Sequence, residues 1–293
     1  MSTVAERLAA VDESLAVPRA RPDYLAHFVL LLGVALFAFP LWLAIAGSTQ
    51  DSGAIRRGEL SLLPGGQGLA AYAHVLTQGT GGAPPVWHML LVSAGMALVI
   101  ASGKIFVSLL SAFAVVFFRF PLRRTAFWVI FITLMLPVEV RIMPTYAVMA
   151  DLHLINTFTG LTVPLIASAT ATLLFRQVFV AIPDELVEAA RMDGAGPLRF
   201  LKDVLIPVSA ANLAALFVIL FVYGWNQYLW PLLVATDPRL DPIVVGITQG
   251  ISVEAETDWA GVMATAVLAV LPPVLVVVAM QRWFVAGLTE AEK

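Results

Sequence analysis

Three ionisable side chains, Lys104, Glu139 and Arg141, stand inside long apolar stretches of this chain, where charge is costly and is a sign of function by default. Arginine and lysine hold phosphate through charge-assisted hydrogen bonds, so Lys104 and Arg141 can attract or guide an anionic solute. The bland alternative is structural: Glu139 and Arg141 pair with each other or with neighbouring helices, and Lys104 snorkels or meets another subunit. Farther along, Trp225, Asn226, Gln227 and Tyr228 set hydrogen-bonding groups beside aromatic rings, a mixture suited to a polyol. The same four residues can equally act as polar glue between helices.

Catalytic constellations are missing. The only Gly-Lys pair, Gly103-Lys104, has Leu98 where a phosphate-binding GxxxxGK[ST] loop needs glycine and Ile105 where it needs Ser or Thr. ATP hydrolysis is therefore expected on another chain. His27, His74, His88 and His153 are scattered with no HExxH spacing, and no GxSxG elbow occurs. With no cysteine there is no disulfide, thiolate metal site or thiol nucleophile. The chain is expected to bind no cofactor or metal, and a net charge of −3 gives no basic footprint for nucleic acid.

The elements that must position these residues are membrane-spanning helices. Of the 293 residues 60% are hydrophobic and 13% charged, far more apolar than the roughly 45–50% of soluble domains. At about 20 apolar residues per span, six spans are expected: Leu25 to Gly47, Trp87 to Phe118, Thr125 to Ala150, Phe158 to Ala181, Ser209 to Ala235 and Trp259 to Phe284. The fold class is all-α and polytopic, with residues 1–24 a polar tail rather than a cleavable signal, 25–284 the permeating domain and 285–293 a short tail. With the N-terminus inside, the inner segments hold twelve Arg and Lys and the outer segments three, which places both termini in the cytoplasm. Trp87, Trp128, Trp259 and Trp283 fall at predicted span ends, suiting the headgroup zone; gap filling between helices is the alternative. Small residues recur every four positions in Ser93, Ala97, Ala101 and in Gly261, Thr265, Ala269, a spacing that lets helices approach closely. The outer loop from Ser48 to Val86, rich in Gly and Pro, either docks a partner or merely connects.

The longest inner loop, Ile182 to Pro207, reads IPDELVEAARMDGAGPLRFLKDVLIP. Pro183 and Asp184 predict a helix start, and Gly194 predicts its end in a left-handed turn, with a second short helix from Pro197. Leu186, Ala189, Ala190, Leu198 and Leu201 offer apolar contacts, and Glu185, Glu188, Arg191 and Lys202 polar ones. Two short amphipathic helices at an angle beneath a membrane make a docking knob.

Glu188-Ala189-Ala190, three residues, Gly194, nine residues, then Val204-Leu205-Ile206-Pro207 resembles the EAA loop of ATP-binding-cassette importer permeases, with Val for Ile and Ile for Leu in its last segment. The chain is similar over nearly its whole length to the MalG-like permeases of carbohydrate uptake. Phe131 to Pro144, Tyr223 to Leu233 and the final Gly287 to Lys293 are most similar to the smaller permease subunit of sn-glycerol-3-phosphate importers. The resemblance implies a type I importer permease fold in the inner membrane. It implies that Glu188, Ala189, Ala190, Asp193, Gly194 and Pro207 engage an ATPase. It also implies a homologous second permease, a homodimeric ATP-binding subunit carrying ATP and Mg, and an outer solute-binding protein. Uptake of a neutral sugar stays open as a substrate alternative, and an ion-gradient-driven secondary transporter as a rival class. Against the rival stand six spans without evident inverted repeats.

Overall fold

The computed structural model describes residues 24–251 and 257–290, with the side chains of all but 134, 138, 139 and 284–290. The expected N-terminal tail lies outside the described residues apart from its last position. Among the described residues every regular element is helical. The chain divides between Leu43 and Ala44 into two units. Most of α1 (Tyr24–Gly47) belongs to the first, and its sequence is apolar all round, as a helix surrounded by lipid requires.

In the second unit the core is built on four helices joined by three pairwise packings. Helix α4 (Val86–Phe117) packs on α8 (Ala169–Val180) and on α11 (Ala210–Trp225), which in turn packs on α14 (Trp259–Glu290). Small residues set these separations. Ser93, Ala97 and Ala101 are all buried on α4, and a Cβ added to Gly224 of α11 would lie 2.9 Å from the Ala97 Cα. Gly261, Thr265 and Ala269 are likewise buried on α14. Both small-residue series are thus contact faces, as expected from their spacing.

Three unbroken helices, α1, α4 and α14, are long and apolar enough to cross a membrane. Two bent pairs each add a span if taken as one: α7 (Phe158–Leu165) with α8, bent by 47°, and α10 (Pro197–Val208) with α11, bent by 78°. Among the described residues up to five of the six expected spans therefore meet that measure. The expected third span is instead two helices, α5 (Arg123–Met135) and α6 (Val138–Asp151). The break is local chemistry: Pro137 pushes Leu136 into an extended conformation, φ −61° and ψ 134°. The expected fifth span also breaks, ending at Trp225 and resuming as α12 (Leu229–Val234). Pro231 would crowd the carbonyl of Gln227 in a continuous helix, so it is accommodated in the first turn of a new one. At the far end α14 runs six residues past the expected Phe284 stop, to Glu290.

The outer loop is ordered. It contains α2 (Ser52–Arg56), capped by Asp51, and α3 (Ala70–Gln78), which packs on α14. The Gln50 side chain donates to the carbonyls of Ser61 and Leu63, at 2.7 and 3.0 Å, and accepts from the Ser61 N–H. The Ser52 hydroxyl donates to Asp258 and accepts from the Ala260 N–H, fixing the loop to the start of α14. A short helix, α13 (Ile243–Gln249), follows α12, and its first N–H donates to Ser93 of α4. Trp87, Trp128 and Trp283 are each more than half exposed, as rings in a headgroup layer would be in a chain stripped of lipid.

Candidate functional site

The inner loop folds as its spacing predicts. Helix α9 (Asp184–Met192) starts after Pro183, carries Asp184 and Glu185 in its first turn and Arg191 in its last, and so matches the helix dipole at both ends. It stops at Gly194, whose φ of +69° is left-handed. The Ala195 N–H bonds the Ala190 carbonyl at 2.9 Å and the Gly194 N–H bonds that of Arg191 at 3.0 Å, the paired closure of a Schellman stop. A Cβ at Gly194 would meet nothing within 4 Å, so it is the backbone angle that requires glycine here.

Helix α10 then begins at Pro197 and widens into a π turn over Leu201–Leu205. Pro207, two residues on, has no N–H for the Asp203 carbonyl and its ring would crowd that group. The wider turn relieves the clash.

One face of this loop is anchored. Ala190, Phe200 and Leu201 are buried, and Phe117 of α4 meets Phe200 at 5.3 Å and Phe179 of α8 at 6.0 Å between ring centroids. A cavity of about 210 Å3 remains there between Phe113, Phe117 and Phe118 on one side and Val187, Ala190 and Phe200 on the other. The other face is bare. Of the residues expected to offer apolar contacts, Leu186 and Leu198 are 40% and 75% exposed, and Met192 is 88% exposed. Glu185, Glu188, Ala189 and Asp193 are exposed beside them. This face is an exposed apolar patch with charged groups at its edge, the composition common at protein-docking surfaces.

The charged residues of the membrane region lie deeper. Lys104, midway along α4, is 6% exposed, and its ammonium sits 3.7 Å from the centre of the Tyr223 ring on α11. Among the described residues it makes no ion pair. Arg141 on α6 is half-buried. Arg141 also lines a small cleft with Thr145, Pro164, Leu165 and Trp230. Glu139 has a side chain outside the described residues.

The polyol-suited cluster is dispersed. Trp225 is buried and its indole donates to the Ala269 carbonyl of α14 at 3.2 Å, so it serves helix packing. Asn226 ends α11, Gln227 donates back to the Tyr223 carbonyl at 3.0 Å, and Tyr228 is exposed. Tyr223 is the residue that sequence reading passed over. Its signal was its place one helical turn before Gln227, but only the packing of α11 on α4 reveals its partner.

Long apolar helices around the buried Lys104 and the half-buried Arg141, with an amphipathic loop whose other face is bare, are the features of a polytopic transport permease. The description "Binding-protein-dependent transport system inner membrane component" matches residues 104–290. The sn-glycerol-3-phosphate transport system permease protein UgpE of Agrobacterium fabrum is 56% identical over 272 residues, covering 92% of this chain and 96% of that one. The protein of the same description from Salmonella typhi is 55% identical over 270 residues, with the same coverage. Among solved structures, a bacterial ABC transporter involved in the import of the acidic polysaccharide alginate superposes with a TM-score of 0.75 over 90% of this chain and 98% of that one, at 22% identity. The chain belongs to the inner-membrane components of binding-protein-dependent transport systems, as an importer permease of the ATP-binding-cassette class. That membership sets aside the ion-gradient-driven alternative.

Proposed function

We propose that this chain is the smaller permease subunit of an importer for sn-glycerol-3-phosphate or related glycerophospho compounds, and that it is not itself an enzyme. The observation that carries the reading is 53–56% identity, over nearly the full length, to permeases named for that substrate. It pairs with a homologous permease to enclose the path, receives solute from an outer binding protein, and rests on a homodimeric ATPase that carries ATP and Mg. Both termini face the cytoplasm. Glu188, Ala189, Ala190, Asp193 and Gly194 meet the ATPase, and Pro207 shapes the turn that returns the loop to the membrane.

The geometry supports a mechanical route for coupling. Closure of the ATPase dimer moves α9 and α10; Phe200 of α10 bears on Phe117 of α4, which meets Phe179 of α8; and the permease halves rock between outward-facing and inward-facing states. The test is ATP-dependent uptake by vesicles holding the complete complex, with sn-glycerol-3-phosphate, a glycerophosphodiester, maltose and inorganic phosphate as competitors. Competition by the glycerophospho compounds and not by maltose supports the assignment; the reverse order returns the chain to sugar uptake.

A further inference from the structure

The cavity between the end of α4 and the inner loop has two unlike walls. One belongs to the core: Phe113 and Phe117 of α4, with Phe118 just past its end. Phe113 meets Phe118 and Phe117 meets Phe200 edge to face, at 5.2 and 5.3 Å between ring centroids. The other wall is the loop itself, with Val187 and Ala190 of α9, Ala195 and Pro197 at the turn, and Phe200 of α10. Among the described residues Arg191 is the only charged side chain that lines the space, and it makes no ion pair there. Its place in the last turn of α9 suits the helix dipole, but that role asks only for a cation near the helix end and does not account for a position at an aromatic-walled cavity. A second guanidinium stands against the same wall, since Arg123 donates to the Phe118 carbonyl at 3.3 Å.

Size and lining define what fits. An apolar cavity of roughly 150 Å3 takes benzene. At about 210 Å3 this one takes a single ring with a small substituent, or a short alkyl chain. Phenylalanine walls receive a ring face to edge, and a guanidinium holds a carboxylate or phosphate through two parallel hydrogen bonds. We propose that the cavity binds a small amphipathic anion, with its apolar part among the phenylalanines and its carboxylate or phosphate on Arg191. Because one wall is a core helix and the other is the loop that meets the ATPase, an occupant wedges between them and lowers the solute moved per ATP hydrolysed. That consequence rests on the importer reading above; the binding does not.

The experiment uses the full complex in lipid nanodiscs, with para-trifluoromethylbenzoate as the probe, its neutral amide as the counterpart, and fluorine NMR line broadening as the readout. The benzoate binds saturably and more tightly than the amide. Arg191→Gln weakens the benzoate about tenfold or more and the amide by less than about threefold, and Arg191→Lys, which keeps a charge without the fork, falls between. Ala195→Leu fills the space and loses both ligands. No saturable binding, equal affinity for benzoate and amide, or benzoate binding untouched by Arg191→Gln overturns the site. If Ala195→Leu does not assemble, the Arg191 variants decide, because that side chain is exposed and its replacement leaves packing intact. Binding by the chain without its ATPase but not by the complex would give the cavity to that interface and likewise overturn the proposal. Free acids and anionic lipids offer the same chemistry, so discs of neutral lipid are compared with discs containing an anionic lipid. A severalfold loss of benzoate affinity in the second identifies the lipid as the occupant, and no loss identifies a free acid. Saturating benzoate lowers solute moved per ATP severalfold in the wild type and not in Arg191→Gln; a bound benzoate that leaves this ratio unchanged overturns the wedge. Vesicles that take up no phosphate ester, while benzoate binding still depends on Arg191, would overturn the importer assignment and leave the site standing.

Discussion

At the scale of single residues, the inner loop depends on one backbone angle and one acidic group. Gly194 has open space around its α-carbon but a φ of +69°, so substitution there strains the chain without any clash. Gly194→Val puts a β-branched side chain in that region, costing on the order of 1–3 kcal/mol, which the loop meets by giving up its stop. Uptake should fall severalfold while the protein still inserts in the membrane, as read by transport against membrane-fraction abundance; normal coupled uptake by a well-expressed variant would refute the role. Glu188 is exposed on the bare face, so Glu188→Lys leaves the isolated fold unchanged and should reduce copurification of the ATPase. Unchanged yield together with unchanged transport removes the claim. Outside the membrane, burial pushes the Asp241 carboxyl above the usual carboxylate range, partly opposed by the hydrogen bond from Gln249 at 2.9 Å. The folded chain therefore takes up that proton more readily than the unfolded chain, and stability is lost as pH rises through the raised value. Asp241→Asn should raise the melting temperature at neutral pH, and the gain should vanish as pH falls below about 4.

Among elements, α4 joins the two candidate sites. Phe117, which bears on α10, and Lys104 are about 20 Å apart along it at 1.5 Å per residue, so a displacement of α9 reaches the buried cation through one rigid rod. Phe117→Ala removes ring contacts on both α8 and α10, each worth roughly 0.5–1.5 kcal/mol. The ATPase should still copurify, but solute moved per ATP hydrolysed should drop; unchanged stoichiometry would show that coupling runs elsewhere. What sequence revealed about these elements follows the range of the physics. The α9 stop, the start at Pro197 and the small-residue faces of α4 and α14 depend on local backbone and spacing, and all were legible. The breaks at Leu136 and at Asn226 to Tyr228 were legible in principle, through Pro137 and Pro231, but continuous apolarity outweighed them in a search for spans. The partnership of Lys104 with Tyr223 was not legible, because it exists only once α4 and α11 pack. Nor was the division of the loop's apolar residues, with Ala190 and Leu201 buried and Leu186 and Leu198 exposed, since amphipathic spacing marks a face without saying what covers it.

For the whole molecule, the proposed membrane orientation puts the 48–86 loop and the 182–207 loop in opposite compartments, and the absence of cysteine makes that testable without first stripping native thiols. Leu63 in the outer loop is 71% exposed and Met192 at the end of α9 is 88% exposed, so a thiol at either position can react with a bulky reagent from its own side. In intact cells, or spheroplasts where an outer barrier intervenes, Leu63→Cys should be labelled by a membrane-impermeant maleimide and Met192→Cys should not. Once the membrane is opened, Met192→Cys should label in the isolated chain. In the assembled complex it should be protected severalfold, because Met192 lies on the bare face beside Glu188 and Asp193 where the ATPase would sit. Protection that persists when the ATPase is removed would mean that the site is buried by something else. Labelling of Met192→Cys from outside intact cells would invert the topology, and with it the inference that α9 transmits the ATPase stroke toward Lys104.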